Sequence, residues 1–529
     1  MATPAPPPAD AAPGATAPAG PRHVVVVLLD SLNRHLLGCY GSAEFATPNL
    51  DRFAARAARF TNHFVGSLPC MPARHDLLCG TLDFPWRPWG SVELWDEPLT
   101  RPLRRAGVVT QLVSDHPHLF ETGGENYHTD FTAWDYQRGH EGDPWKTVPD
   151  PSWVGAPSFG RGHMPYDDSR GWFRGEEDFP GPRTMAAAAR WLDENAGRHE
   201  RSFLFVDEFD PHEPFDTPEP YASMYDDAWE GPHLIWPPYT VGAVAKGVIT
   251  EREGRQVRAS YGAKLTMIDS WFGRVLDALD RHGRWDDTAV VVCTDHGHHL
   301  GEKDVWGKPG APLYETIAHT PLLIWWPGSP RNGRTVDALT TTVDLHATLL
   351  DAFGVEAAGS THGRSLVPLL RGDATAVREH LLAGMWAREV HLITGRHKYC
   401  RAPVADNAPL SMWSNRWSTM PIHMAGVDPS TLFPPPDDRA WLDHMPGSAI
   451  PVIRQPFVPG DLLPYWGYGT GHTHHLWDLS VDPTEDEDRA GAAAGTADAR
   501  LEADLADALR DALVAIDAPA EQLERLALT

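Results

Sequence analysis

Cys70, Pro72 and Arg74 stand at alternate positions in the run Leu68-Pro69-Cys70-Met71-Pro72-Ala73-Arg74, and that spacing has a chemical reading. Proline fits the first turn of a helix, where its missing N–H costs nothing and its φ is already helical. Cys70 then falls at the helix N-terminus, where unpaired backbone N–H groups and the positive end of the dipole favour an anion. Arg74, one turn on, shares that face. One turn of helix would bring together a nucleophile, an anion-holding backbone and a forked cation. Two apolar, β-branched runs end on acids: His23–Leu29 on Asp30, and Thr288–Thr294 on Asp295, which is followed by His296. Open α/β sheets bind ligands at the carboxyl ends of such strands. An Asp-His pair alone is more often a polar turn. With Asp30 at another strand end it becomes a carboxylate-and-imidazole set suited to a divalent cation.

The elements that must position these groups alternate between strand and helix. The run from His23 reads as a buried parallel strand. Thr47 opens an amphipathic helix through Phe60, with Leu50, Phe53, Ala54 and Ala57 on one face. A helix over Leu99–Ala106 precedes a strand over Gly107–Val113, and Asp115-His116-Pro117-His118 follows in functional loop territory. A helix over Thr184–Asn195 leads to a strand over Ser202–Asp207 and then to His212. A helix over Val248–Leu279 precedes the strand that delivers Asp295, and another spans Thr342–Phe353. The periodicity then changes: Glu389–Thr394 and Lys398-Tyr399 read as a hairpin, Leu476–Leu479 as a last strand, and Leu501–Leu528 as a helical ending. The expected organisation is a disordered leader over 1–21, a catalytic α/β domain over 22–373, and a smaller domain over 374–529. Segments 127–183 and 402–473, dense in Trp and Pro, read as insertions near the site or against another subunit.

Cys70-x-Pro72-x-Arg74, running on to Leu78-Cys79-Gly80, resembles the signature of the type I sulfatases of the alkaline phosphatase superfamily. Further blocks are similar: Gly38-Cys39-Tyr40-Gly41 after the first strand, Thr47-Pro48-Asn49-Leu50-Asp51, Pro211-His212-x-Pro214-Phe215, Thr294-Asp295-His296-Gly297, and Trp306-Gly307-Lys308. The resemblance spans about Val24 to Pro483. It implies an alkaline-phosphatase-like large mixed sheet flanked by helices, with a smaller C-terminal α+β antiparallel-sheet domain. It implies oxidation of Cys70 to formylglycine by a maturation enzyme, the hydrated aldehyde serving as nucleophile. Asp30, Cys70, Asp295 and His296 become the metal ligands. Arg74 and Lys308 bind and neutralise the sulfate, His212 protonates the leaving group, and His118 is the base that resolves the covalent intermediate. The pattern departs from the family twice. Ser31 replaces a second acid after Asp30, and no lysine stands in the 114–120 run, so His116 takes a substrate-binding place there. The resemblance implies calcium, whereas the donor types also admit magnesium or manganese.

The formal charge of −27 argues against nucleic acid and anionic membrane as standing partners, but not against an anionic ester in a locally cationic site. The five scattered cysteines are no disulfide framework and point to a reducing, cytoplasmic setting. No apolar run reaches membrane-spanning length. The expected function is hydrolysis of a sulfate monoester. A formylglycine-dependent phosphonate monoester or phosphodiester hydrolase is the alternative, and a non-catalytic relative the third reading. A homo-oligomer is expected from the C-terminal segment.

Overall fold

The computed structural model of the protein describes residues 20–121, 123–152, 166–308, 310–357, 359, 361–417, 436–464 and 473–529. The leader expected over 1–21 lies almost wholly outside them. An eight-stranded sheet forms the centre, built from β1 (His23–Leu29), β2 (Ala58–Phe64), β3 (Val109–Ser114), β4 (Ala133–Tyr136), β5 (Ser202–Glu208), β6 (Thr288–Cys293), β7 (Leu322–Trp325) and β8 (Thr335–Thr341). Their spatial order is β8-β2-β7-β6-β1-β5-β3-β4. β7 runs antiparallel to both neighbours, and every other pairing is parallel.

The central strand explains its own sequence. Val25, Val27 and Leu29 of β1 pack into one apolar cluster, and Val24, Val26 and Leu28 into another on the opposite face. A strand covered on both faces has no place for polar alternation. Helices α3 (Pro180–Asn195) and α4 (Glu251–Arg281) cover the first face. Helices α2 (Cys70–Cys79) and α5 (Thr342–Ala352) cover the second. Helix α1 (Pro48–Ala54) starts on a proline, and its first N–H groups are capped across space by Asp269 of α4, which accepts from Asn49 and Leu50 at 3.0 and 2.7 Å.

The helix expected through Phe60 stops at Ala54, and the chain turns into β2 between β7 and β8. Ala58, Phe60 and Phe64 serve the sheet core instead of a helix face. The segment 127–183 is also more than an insertion, since it supplies edge strand β4 and the buried Tyr127, Phe131 and Phe173. Part of it, 153–165, lies outside the described residues.

A second, five-stranded sheet runs His475–Asp478, His397–Arg401, Val390–Thr394, His380–Met385 and finally Ser67–Leu68. The first three pairings are antiparallel, the expected hairpin among them. The last is parallel, Gly384 opposite Ser67 and Met385 opposite Leu68. The C-terminal sheet therefore ends on the two residues just before Pro69 and Cys70. Within 402–473, Leu410–Trp413, Pro451–Phe457 and Trp441–His444 pair as a small antiparallel sheet, and 418–435 and 465–472 lie outside the described residues. The helical ending is two helices, α6 (Ala497–Ala515) and α7 (Ala520–Arg525). Among the described residues no helix is long and apolar enough to cross a membrane.

Candidate active site

Cys70 is the first residue of α2, and Arg74 follows one turn later with its guanidinium fully buried. That guanidinium is shared among three strand-end acids. Its Nε and Nη2 donate to Asp207 at 2.9 and 2.7 Å, its Nη1 donates to Asp295 Oδ2 at 2.8 Å, and Nη2 lies 2.9 Å from Asp30 Oδ2. Nη1 also donates to the Cys70 carbonyl at 3.2 Å, which ties the cation to the nucleophile's own turn. Burial would lower the Arg74 pKa, but Asp207, Asp30 and Asp295 together drive it far up. Asp207, near the end of β5, is a site residue that sequence reasoning left unassigned. Its signal was the one used for Asp30 and Asp295, an acid closing a buried strand.

Asp30 and Asp295 end adjacent strands β1 and β6. Ser31, with φ of 60°, bridges them: its N–H donates to Asp295 Oδ1 at 3.0 Å and its hydroxyl to Asp30 Oδ1 at 2.8 Å. The left-handed backbone at a non-glycine residue is held from the far side by Tyr261, whose hydroxyl donates to the Ser31 carbonyl at 2.9 Å. The position that departs from the family thus buttresses the two acids. Burial, and then the charge of Asp295, push the Asp30 carboxyl well above its usual range. Asp295 itself is held far below despite burial, by His296 and Arg74.

His296 donates from Nδ1 to the Gly297 carbonyl at 2.8 Å, which leaves Nε2 as a lone-pair donor 3.2 Å from the Cys70 sulfur. Burial lowers its pKa to about 4, Lys308 outweighing part of the pull of Asp295. One ligand atom each from Asp30, Cys70, Asp295 and His296 lies within 4.8 Å of all the others, and all four residues are buried. Asp30 Oδ2 has no directed hydrogen bond. This compact, buried set of two carboxylates, an imidazole and residue 70 fits a divalent cation.

Across the sulfur, Lys308 Nζ lies 3.7 Å from Cys70 Sγ, 2.7 Å from His212 Nε2 and 3.5 Å from the Ser31 hydroxyl. Burial would strip its proton, but Cys70, Glu213, Asp30 and Asp295 hold it well above the usual range. His212 donates from Nδ1 to the Glu213 carbonyl at 2.7 Å, so its Nε2 accepts from the ammonium. Burial holds His212 well below the usual range, with Lys308 working against Glu213. The Glu213 carboxylate accepts from the hydroxyl of Tyr239 and from His298 Nε2, the latter at 3.0 Å. Glu213, Tyr239 and His298 carried no sequence signal beyond their nearness to a motif. The Cys70 thiol is pushed far up by burial and by Asp30, so the unmodified sulfur stays protonated.

The two histidines after β3 part company. His116 is fully buried, with Nε2 3.9 Å from Asp30 Oδ2 and no hydrogen bond on either ring nitrogen. Burial, then Arg74 and His118, keep it neutral. His118 sits edge-on to His116 with ring centroids 5.2 Å apart, clasped between Glu121 Oε2 at 3.1 Å and Glu141 Oε2 at 3.2 Å. Burial would lower its pKa, but Glu121 and then Glu141 push it up to about 10. At neutral pH it is an imidazolium with both N–H groups engaged, which is not the protonation state of a general base.

The site lies at the carboxyl edge of a mixed α/β sheet of the alkaline-phosphatase-like fold, with the buried Arg74 and Lys308 on either side of residue 70. The sulfatase family model matches residues 22–355, and the chain belongs to the sulfatase family, the sulfuric ester hydrolases. It is 28% identical over 422 residues to the choline-sulfatase of Rhizobium meliloti (strain 1021), covering 72% of this chain and 78% of that protein. It is also 28% identical over 409 residues to the multifunctional alkaline phosphatase superfamily protein PehA of Trinickia caryophylli, covering 66% and 77% of the two. Among solved structures, the phosphonate monoester hydrolase of Agrobacterium radiobacter superposes with a TM-score of 0.63 at 20% identity, covering 94% of this chain and 96% of that one. A 2-O GAG sulfatase superposes with a TM-score of 0.61 at 16% identity, covering 94% and 93%.

Proposed function

We propose that the protein hydrolyses a small anionic sulfate monoester through a formylglycine made from Cys70 by a maturation enzyme, with a divalent cation held by Asp30, Asp295, His296 and residue 70. The observation that carries this reading is the junction at Cys70. Its sulfur lies 3.2 Å from His296 and 3.7 Å from Lys308, at the start of the helix whose next turn carries Arg74. A buried thiol beside Asp30 is a poor nucleophile, and an aldehyde hydrate at that position is a better one. The cation would supply Lewis-acid neutralisation of a sulfate oxygen. Family resemblance favours calcium.

The chain's own groups supply the rest. Arg74, fixed by Asp207, and Lys308 offset the sulfate's charge and orient the ester for in-line attack by one hydroxyl of the hydrate, whose proton is lost to solvent as the oxygen–sulfur bond forms. Sulfur–oxygen cleavage leaves an alkoxide or phenoxide, which takes its proton from the Lys308–His212 couple. Lys308 is the proton-bearing member, and His212 accepts its hydrogen bond. The second hydroxyl of the hydrate then loses a proton, the carbon–oxygen bond to sulfate breaks, and the aldehyde re-forms and takes up water. His116, neutral and unpartnered beside Asp30, takes this proton. His118, already protonated, holds the loop and lends positive charge. This division departs from the roles first expected for His118 and His116.

The test is mass spectrometry of tryptic peptide 60–74 from protein made in its own host. Exchange of sulfur and two hydrogens for one oxygen is expected. Undiminished turnover by Cys70→Ser would refute the mechanism. Removal of the nucleophile should lower the rate by several orders of magnitude, and chelator dialysis should abolish activity until a divalent cation returns.

A second reading, phosphonate monoester or phosphodiester hydrolysis by the same residues, draws on the superposition with a phosphonate monoester hydrolase. Rates on matched aryl sulfate and aryl phosphonate esters separate the two. The five free cysteines support the cytoplasmic setting. Trp441 and Leu442, exposed on one strand, support self-association, which light scattering would measure.

A further inference from the structure

Helix α2 carries a second set of metal-competent side chains toward its other end, roughly 8 Å (His75) to 13 Å (Cys79) along the axis from Cys70 by helical rise. His75 and Cys79 are four residues apart and share a face. Asp96 joins them from the loop that follows. One donor atom from each lies within 4.8 Å of the other two, and all three residues are buried.

The neighbours set the donors in place. Asp96 Oδ2 accepts the Glu93 backbone N–H at 2.7 Å and Arg87 Nη2 at 3.4 Å, while Oδ1 faces His75 Nε2 at 3.1 Å. Asp83 Oδ1 stands 3.6 Å from His75 Nδ1. A carboxylate behind one ring nitrogen, with the other turned to the ion, is the usual support of a ligating histidine. His75, only 2% exposed, is held by these two carboxylates: burial would lower its pKa, but Asp83, Cys79 and Asp96 together raise it well above the usual imidazole range. His346, also 2% exposed and with Nδ1 unpaired, lines the same cleft. That cleft, of about 500 Å³, opens onto His75, Cys79, Asp96 and His346, so an ion has a way in and room for a water.

We propose that His75, Cys79 and Asp96 form a second metal site for a zinc-type divalent cation, with a water from the cleft as the fourth ligand. Thiolate, imidazole and carboxylate in one compact set suit zinc better than calcium or magnesium. Binding releases to solvent the Cys79 thiol proton and the imidazolium proton that His75 holds between Asp83 and Asp96. The ion clasps the end of α2 to the loop carrying Asp96, and so steadies the helix that presents Cys70 and Arg74. Its role is structural, and it is independent of whether Cys70 is converted.

The experiment uses full-length Cys70→Ser protein, so that no thiolate remains at the first site. After chelator dialysis it is titrated with cobalt(II), a coloured stand-in for zinc. One equivalent should raise a thiolate-to-cobalt charge-transfer band in the near ultraviolet, which zinc then removes. Adding Cys79→Ser should abolish the band. Should that variant not fold, His75→Gln replaces it and should weaken cobalt binding at least tenfold. No thiolate band in the Cys70→Ser protein, or a band that persists without Cys79 or is unweakened by His75→Gln, overturns the site.

Discussion

Two histidines two residues apart show how environment divides labour. His116 faces Asp30 with no hydrogen-bond partner, whereas His118 is clasped by Glu121 and Glu141. The folded pKa of His118, about 10, lies above the unfolded value near 6.5, so protonation stabilises the fold. That stability is fully present below about pH 6.5 and is lost as pH rises through about 10. His118→Gln should therefore lower the free energy of unfolding at neutral pH by an amount on the order of a few kcal/mol. The gap to the unsubstituted protein should close by about pH 10 to 11, read from denaturant unfolding across that range. If His116 is the base, His116→Gln should cost about 100-fold or more in turnover. His118→Gln should cost much less at a temperature where both variants are folded.

At the scale of elements, α2 depends on how it stops as much as on how it starts. Gly80 ends it with φ of +75°, and a Cβ there would sit 2.7 Å from the His346 ring. Gly80→Ala should destabilise by about 1–2 kcal/mol from the left-handed backbone alone, with the clash against His346 added. A markedly lowered midpoint in thermal unfolding is expected, and an unchanged one would mean that α5 yields easily. Much of this layer was legible in the sequence. The strands delivering Asp30 and Asp295 announced themselves because burial on both faces leaves an unbroken β-branched run. The reach from Leu50 to Phe60 was not legible, since its apolar positions suit a helix face or a sheet face about equally, and strand pairing decided for β2. Asp207 ends its strand as plainly as Asp30 does. Its role came into view only with the Arg74 fork, a contact between residues 133 positions apart. Tyr239 reaches Glu213 from a loop, and no periodicity marks a loop.

Taken whole, the molecule does not divide cleanly where its sequence changes character near residue 373. Ser67–Leu68, the lead-in to the nucleophile, is a strand of the C-terminal sheet. Phe64, Val65, Leu68 and Ala73 share a core with Leu381, Ala383, Met385 and Ile393. Leu82, Phe84 and Val343 share another with Leu392, Leu505, Leu509 and Leu513. Polar contacts follow the same path. The Glu93 carboxylate accepts from Ser414, Asn415 and Arg416, and Gln522 donates to the Pro85 carbonyl at 2.7 Å. Each buried aliphatic side chain contributes about 1.5–3 kcal/mol, so exposing even half of these would exceed the roughly 5–15 kcal/mol that holds a domain together. A chain ending at residue 373 should therefore fail to form a rigid core around Cys70. It should bind a hydrophobic dye, lose near-ultraviolet circular dichroism and show no turnover, while retaining helical far-ultraviolet signal. A truncated chain that unfolds cooperatively and turns over substrate would instead establish 22–373 as a self-sufficient catalytic domain, with the C-terminal sheet as an accessory. The seam at Ser67–Leu68 argues for the first outcome, because the strand that aims the nucleophile finds its partner only in the part removed.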